Sequence, residues 1–152
     1  MTGRILLQDY FVNQAIMNGI IQSMKHLAIF KGAGAGKILS GKKTIESRFS
    51  QRRDPPFAAI SAGDLVYIKP SGKDIIGQFR VKKVIFFDGL DVEDIRGIRK
   101  KYGKSLAVEE DYWTRKETAK YGTLIFIGEV DPFITSPIKI PKKDLRGWVV
   151  LS

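Results

Sequence analysis

Three charged side chains, Lys43, Glu46 and Arg48, lie within six residues of one another. In an extended segment Glu46 and Arg48 point to the same face, because successive side chains of a strand alternate. With Lys43 at the end of a preceding helix, the cations could neutralise phosphates, and Arg48 could bind a phosphate or a base through two N–H groups. A surface ion-pair cluster, which contributes little energy, has the same residue types. The segment therefore predicts either an anion-binding site or a solvated ion-pair cluster.

The charge of the whole chain favours an anionic partner. The 152 residues include 26 Lys and Arg but only 16 Asp and Glu, a net charge of +10. Residues 1–24 contain one base and one acid, so the excess charge lies entirely after residue 24. Such an excess is typical of nucleic-acid binding, and a solvated basic surface is the alternative. The sequence lacks a polybasic amphipathic helix and an apolar run of transmembrane length, so we expect no membrane partner.

Composition excludes several kinds of site. The chain has no cysteine and a single histidine, His26. This excludes disulfides, thiol nucleophiles and cysteine-based or multi-histidine metal centres. We therefore expect no metal and no cofactor, and the absence of cysteine suits a cytoplasmic protein.

A glycine-rich segment resembles a phosphate loop. Residues 36–42 fit the pattern G-x-x-x-x-G-K, but Lys43 stands where a serine or threonine should hold magnesium. The alternating strands and helices of a nucleotide hydrolase are also absent. Two interpretations stay open: a flexible turn at residues 32–36, or a turn whose backbone N–H groups hold one phosphate.

The remaining pattern predicts an α+β domain in which strands dominate. Apolar alternation and turn residues predict strands at 26–31, 45–49, 65–69, 75–87, 123–130, 138–140 and 147–151. Helical spacing predicts turns of helix at 37–43, a helix capped by Asp91 and Asp94 that ends at Gly103, and a helix at 108–120. The pair of strands around residues 70–72 forms an antiparallel hairpin at the centre of the fold.

Residues 1–24 form a separate segment ahead of the domain at 25–152. Helical spacing from Val12 onward, with Asp9 as N-cap, predicts a helical extension. Its apolar side could pack on the domain, or residues 9–24 could bind a protein partner or a second copy of the chain.

The charged segment also resembles a known family signature. Gly41, Lys43, Glu46 and Arg48 fit the pattern G-x-K-x-x-E-x-R of ASCH domains, with a strand before it and a Gly63-Asp64 turn and hairpin after it. The resemblance covers roughly residues 25–151. It implies a small PUA-like β-barrel with peripheral helices, related to EVE and YTH domains, with the motif lining a cleft and an RNA-linked role.

The resemblance and the charge together predict binding of RNA or a modified nucleotide through Lys43, Glu46 and Arg48. Lys31 and Lys69 each end a strand near a turn and could extend the basic rim of the cleft. Trp113, Tyr112 and Tyr121 could stack on exposed bases, with ordinary core packing as the alternative for each. A basic helix face is a second candidate RNA contact (Arg96, Arg99, Lys100, Lys104).

Hydrolysis of RNA or of acetylated cytidine is the alternative function, with Lys43 as base. Some ASCH proteins resemble amidohydrolases that use the motif lysine together with a threonine at the acidic position of the motif. Here Glu46 occupies that position, and strand alternation points Thr44 elsewhere. A lysine-based ribonuclease would need the Lys43 pKa to fall through desolvation. The sequence leaves open whether the chain is an enzyme.

Overall fold

The computed structural model describes residues 3–5, 23–134 and 146–152. Its strands are β1 (Gly3–Ile5), β2 (Lys25–Phe30), β3 (Ile45–Ser50), β4 (Leu65–Pro70), β5 (Gly77–Asp88), β6 (Tyr121–Pro132) and β7 (Trp148–Val150). Its helices are α1 (Gly34–Leu39), α2 (Val92–Leu106) and α3 (Glu110–Lys116). The predicted α+β class, with strands dominating, is confirmed. No helix within these ranges is long and apolar enough to cross a membrane.

The strands form one curled sheet. Six of them follow the order β3-β6-β5-β4-β2-β7, and β1 pairs with the second half of β5. Strands β2 and β4 run parallel, whereas the other neighbours are antiparallel. Register shifts between Phe79 and Lys83 interrupt the β5–β6 pairing, and such bulges bend and twist a sheet. Among the described strands, β3 and β7 are the two ends of this order, and the sheet curls into a half-barrel with a seam between them.

Two apolar clusters occupy the interior and the helical layer. The first joins the inner side of the sheet to α1, with Val66, Phe79 and Ile125 fully buried. The second packs α2 and α3 against β3 and the ends of β5 and β6, around Ile98 and Leu106. Strand β3 therefore has a helix-facing side and a side that faces the seam. A smaller cluster around Leu27 and Tyr67 lies on the other face of β2 and β4.

Helix α2 begins as predicted and ends later than predicted. Asp91 accepts a hydrogen bond from the Asp94 N–H, and the Asp94 carboxylate accepts one from the Asp91 N–H, which confirms the capping box. The predicted end at Gly103 is wrong, since the helix continues to Leu106 and stops where Ala107 takes a left-handed conformation, φ 50°. Burying Leu106 completely outweighs the cost of about 1 kcal/mol for a helical glycine.

Other boundaries differ from the sequence prediction. Helix α1 lies at Gly34–Leu39 rather than at 37–43, so Lys43 belongs to the connection before β3. Helix α3 covers only Glu110–Lys116 of the predicted 108–120, because Ala119 and Lys120 already turn toward β6. Residues 3–5 form a strand, although the prediction for segment 1–24 was a helical extension with no strand. The helix predicted from Asp9 and the strand predicted at 138–140 lie outside the described residues.

Candidate functional site

A cavity opens at the seam. Its volume is about 570 Å³, within the range of small-molecule sites. One wall is formed by the segment Lys43–Phe49, and the opposite walls come from the end of β2, the turn before α1, and α3. The motif therefore lines a cavity bounded by both edges of the curled sheet.

Lys43 lines this cavity and is 4% exposed. Its Nζ donates a hydrogen bond to the carbonyl oxygen of Leu106 and lies 3.4 Å from Glu46 Oε1. The Leu106 carbonyl belongs to the last turn of α2, where helix carbonyls lack intrahelical partners. Gly41 turns the chain toward β3 with a φ of 82°, a conformation that favours glycine. Lys43 thus ties the end of α2 to the start of β3.

Glu46 links the two cations of the motif. It is also 4% exposed. Its Oε1 accepts a hydrogen bond from the Ser47 N–H at 2.9 Å, and its Oε2 accepts one from Arg48 Nη2 at 3.1 Å. Together with Lys43, the carboxylate has three partners, so the charged groups of the motif form one connected network around a buried carboxylate.

Arg48 connects the two edges of the sheet. From β3, its Nη1 donates to the carbonyl of Gly147, at 2.9 Å, and its Nη2 donates to the carbonyl of Ile29, at 3.3 Å. The guanidinium carbon lies 5.0 Å from the centroid of the Phe30 ring and 5.2 Å from that of the Trp148 ring. A β-carbon at Gly147 would lie 3.0 Å from Arg48 Nη1, so glycine leaves room for this contact. Arg48 therefore closes the seam while lining the cavity.

A buried polar chain supports the Trp148 ring. The Trp148 indole N–H donates to His26 Nδ1, at 3.2 Å, and His26 Nε2 lies 2.8 Å from Asp64 Oδ2. Asp64 also accepts hydrogen bonds from the N–H groups of Met24 and Ser61. Because Nδ1 accepts, Nε2 must carry the proton, and this holds His26 as one neutral tautomer. These hydrogen bonds hold the Trp148 ring in the position where Arg48 packs against it.

Helix α3 supplies the opposite wall. The Tyr112 hydroxyl lies 2.7 Å from Ser47 Oγ, and burial raises the pKa of the Tyr112 phenol above its ordinary value, so it stays protonated. Lys116 Nζ donates to the Phe49 carbonyl at 3.3 Å. Burial, followed by the charges of Arg115 and Arg48, lowers the Lys116 pKa below its ordinary value. Helix α3 thus presents an aromatic ring and basic groups to the cavity.

The structure brings together some of the predicted site residues and separates others. Lys31 is exposed and lines the cavity with Lys43, Glu46 and Arg48. Lys69 lies on β4 opposite Ile29 in the register, is 4% exposed, and is not part of this lining. Trp113 is buried between α2, α3 and the sheet. Tyr121 lines a second cavity, of about 190 Å³, that adjoins the first.

Sequence reasoning missed the basic half of α3. Tyr112, Arg115 and Lys116 all line the cavity, and their spacing of three and four residues places them on one side of a helix. The sequence alone could therefore have shown that these three residues share one side of a helix. The contributions of Arg146 and Trp148 at the seam had no comparable signal, because they depend on how the far end of the chain pairs with β2. Among the described residues, no group of three His, Asp or Glu side chains could hold a metal ion.

Comparison with known proteins identifies the fold. No protein-family profile and no curated protein matches the sequence. Among solved structures, a single-substitution variant of an ASCH protein from Zymomonas mobilis is 19% identical, with a TM-score of 0.64 over 84% of this chain and 90% of that one. Another structure of ASCH from Zymomonas mobilis is 21% identical, with a TM-score of 0.57 over 71% and 69% of the two chains. A protein from Enterococcus faecalis is 13% identical, with a TM-score of 0.51 over 84% and 91%.

These similarities confirm the predicted fold. The chain has an ASCH-like, PUA-like α+β fold, in which a curled half-barrel sheet carries a few helices. Sequence identities near 20% identify the fold alone.

Proposed function

We propose that the seam cavity binds single-stranded RNA or a modified nucleotide of such an RNA. The observation that carries the proposal is a concave site with a strong excess of positive charge. Seven basic residues and three acidic residues contribute to its lining. Each of the three acids is paired with bases of the same lining: Glu46 with Lys43 and Arg48, Glu109 with Lys37, and Asp111 with Arg115.

The size and lining of the cavity fit a nucleotide better than an extended duplex. A volume of about 570 Å³ admits a base with its ribose, whereas a duplex needs a long exposed surface. Phe30 and Tyr112 offer aromatic contacts, and exposed Lys31 and Arg115 can reach phosphates at the rim. Specific RNA recognition commonly uses such unpaired bases.

The contacts of Lys43 favour binding over hydrolysis. A lysine acts as a base only in its neutral form. The Lys43 ammonium is committed to the Leu106 carbonyl and to the Glu46 carboxylate, so its protons serve the structure of the site. We therefore limit the proposal to binding.

Fluorescence anisotropy with an end-labelled, random-sequence RNA octamer tests the proposal. We expect the unlabelled duplex form to compete poorly and the affinity to fall with salt, with a log–log slope of about 0.7 for each phosphate contacted. The double variant Lys31→Gln/Arg115→Gln should weaken binding and reduce this slope. The matched double variant Arg96→Gln/Lys100→Gln removes the same charge from the exposed face of α2 and should change binding less.

Two results would contradict the proposal. One is the absence of binding to the octamer at low salt. The other is a larger loss of affinity in the α2 double variant than in the cavity double variant, which would move the RNA contact to α2.

A further inference from the structure

The second cavity adjoins the first. The two cavities share Arg48, Phe49, Lys116 and Gly147 as lining residues. The larger one extends toward α1, and the smaller one extends toward the Pro55-Pro56 turn and the start of β6. A flexible chain could therefore enter both cavities by passing over Arg48 and Lys116.

The shared wall has donors and positive charge available to an anion. Within the described part of the chain, the hydrogen bonds of Arg48 occupy three of its five N–H groups, which leaves two for a ligand. Lys116 is half-buried, and its one hydrogen bond within the described residues, to the Phe49 carbonyl, leaves ammonium donors available to the cavities. The charges acting on Lys116, from Arg115 and Arg48, are both positive. An anion placed here would relieve this repulsion.

The smaller cavity has walls suited to a base or a ribose. The Phe57 and Tyr121 rings pack edge to face, with their centroids 5.3 Å apart, and both rings line the cavity. Arg52 and Asp54 supply a donor and an acceptor at its edge. At about 190 Å³ it is smaller than the first cavity, so it would hold part of a nucleotide.

We propose that the two cavities are consecutive nucleotide subsites and that Arg48 and Lys116 hold the phosphodiester between them. The ligand class is then a single-stranded RNA of at least two nucleotides rather than a free nucleoside. This inference rests on the proposed RNA-binding function and adds the path of the strand across the seam.

A competition experiment separates the two ligand classes. With the labelled octamer bound to the full chain, the competitors are a mixture of dinucleoside monophosphates, a mixture of the parent nucleosides, and the same dinucleosides with an uncharged methylphosphonate linkage. We expect the natural dinucleotides to compete at least about tenfold better than either control, since a hydrogen bond to a charged group is worth this much.

Lys116→Gln is the variant that tests the phosphate contact. It should weaken octamer binding about tenfold and remove the preference for the charged linkage. Lys120→Gln is the matched control, because Lys120 is exposed, lies four residues away and lines neither cavity. Thermal unfolding of both variants checks that the fold is retained.

The pH dependence gives an independent readout. The phosphate favours the charged amine, so affinity should fall as pH rises through the lowered pKa of Lys116, below 10.5. The charged and titratable side chains that share a cavity lining with this amine include Glu46, Arg48, Arg52, Asp54, Asp111, Tyr112, Arg115 and Tyr121. Burial raises the pKa of Tyr112 above its ordinary value. Lys116→Arg should keep the affinity and flatten this dependence, provided the octamer contains only adenine and cytosine, which do not titrate in this range.

The outcomes distinguish the two proposals. If the unmodified chain does not bind the octamer, the proposed function fails and the second subsite fails with it. If the octamer binds but nucleosides compete as well as dinucleotides, or Lys116→Gln behaves like Lys120→Gln, the second subsite is wrong and the RNA cavity stands.

Discussion

The two walls of the seam cavity carry similar charges but use them differently. On the motif wall, Lys43 and Glu46 are each 4% exposed and are paired with each other. On the α3 wall, the Arg115 side chain is 61% exposed where it pairs with Asp111, and Lys116 lines both cavities. Arg48 belongs to both groups, since it closes the seam and still lines the cavities. The motif therefore builds the cavity, whereas α3 and the rim supply most of the charge that a ligand can reach.

We expect the largest loss of stability from a substitution at Glu46. Glu46→Ala leaves the buried Lys43 ammonium without a counter-charge, and breaking a buried ion pair in this way costs about 3–5 kcal/mol of unfolding free energy. Chemical denaturation measures this loss. Glu109→Ala is the control, because the Glu109 side chain is 77% exposed where it pairs with Lys37, and its loss should stay within about 0.5 kcal/mol. Equal losses in the two variants would mean that the motif network does not stabilise the fold.

We expect a smaller loss of stability from a substitution at Arg48. Arg48→Lys keeps the charge but loses the planar fork that reaches both Gly147 and Ile29. We expect a loss of about 1–3 kcal/mol in unfolding free energy, because the Gly147 and Ile29 carbonyls lose their hydrogen bonds to a charged donor, together with weaker RNA binding. The control Arg96→Lys, on an exposed arginine paired with Glu93, should leave both properties unchanged. Unchanged stability in Arg48→Lys would show that the seam does not depend on the guanidinium fork.

Much of the fold could be predicted from local signals. The capping box at Asp91 and Asp94 and the strands around the Pro70–Gly72 turn depend on neighbouring residues, and they lie where the sequence places them. The end of α2 could not be predicted this way. It is set by the burial of Leu106, a tertiary effect that outweighs the glycine at position 103.

The candidate site was only partly readable from the sequence. The same-face placement of Glu46 and Arg48 follows from strand alternation, and these two side chains are in contact. The partners of Arg48 are backbone carbonyls 19 and 99 residues away, and no sequence spacing reveals such contacts. Tyr112 and Trp113 are adjacent on α3, yet one lines the cavity and the other is buried under the helix. Which side faces the cavity depends on how α3 packs on the sheet.

The most direct test of the central claim is an NMR titration of the isotope-labelled chain with the RNA octamer. We expect the largest amide shifts in segments 30–34, 46–49, 108–116 and 146–148, which border the seam cavity. The exposed face of α2, with Arg96, Lys100 and Lys104, should change little. Largest shifts on that face, or no shifts at RNA excess, would contradict the assignment of RNA binding to the seam.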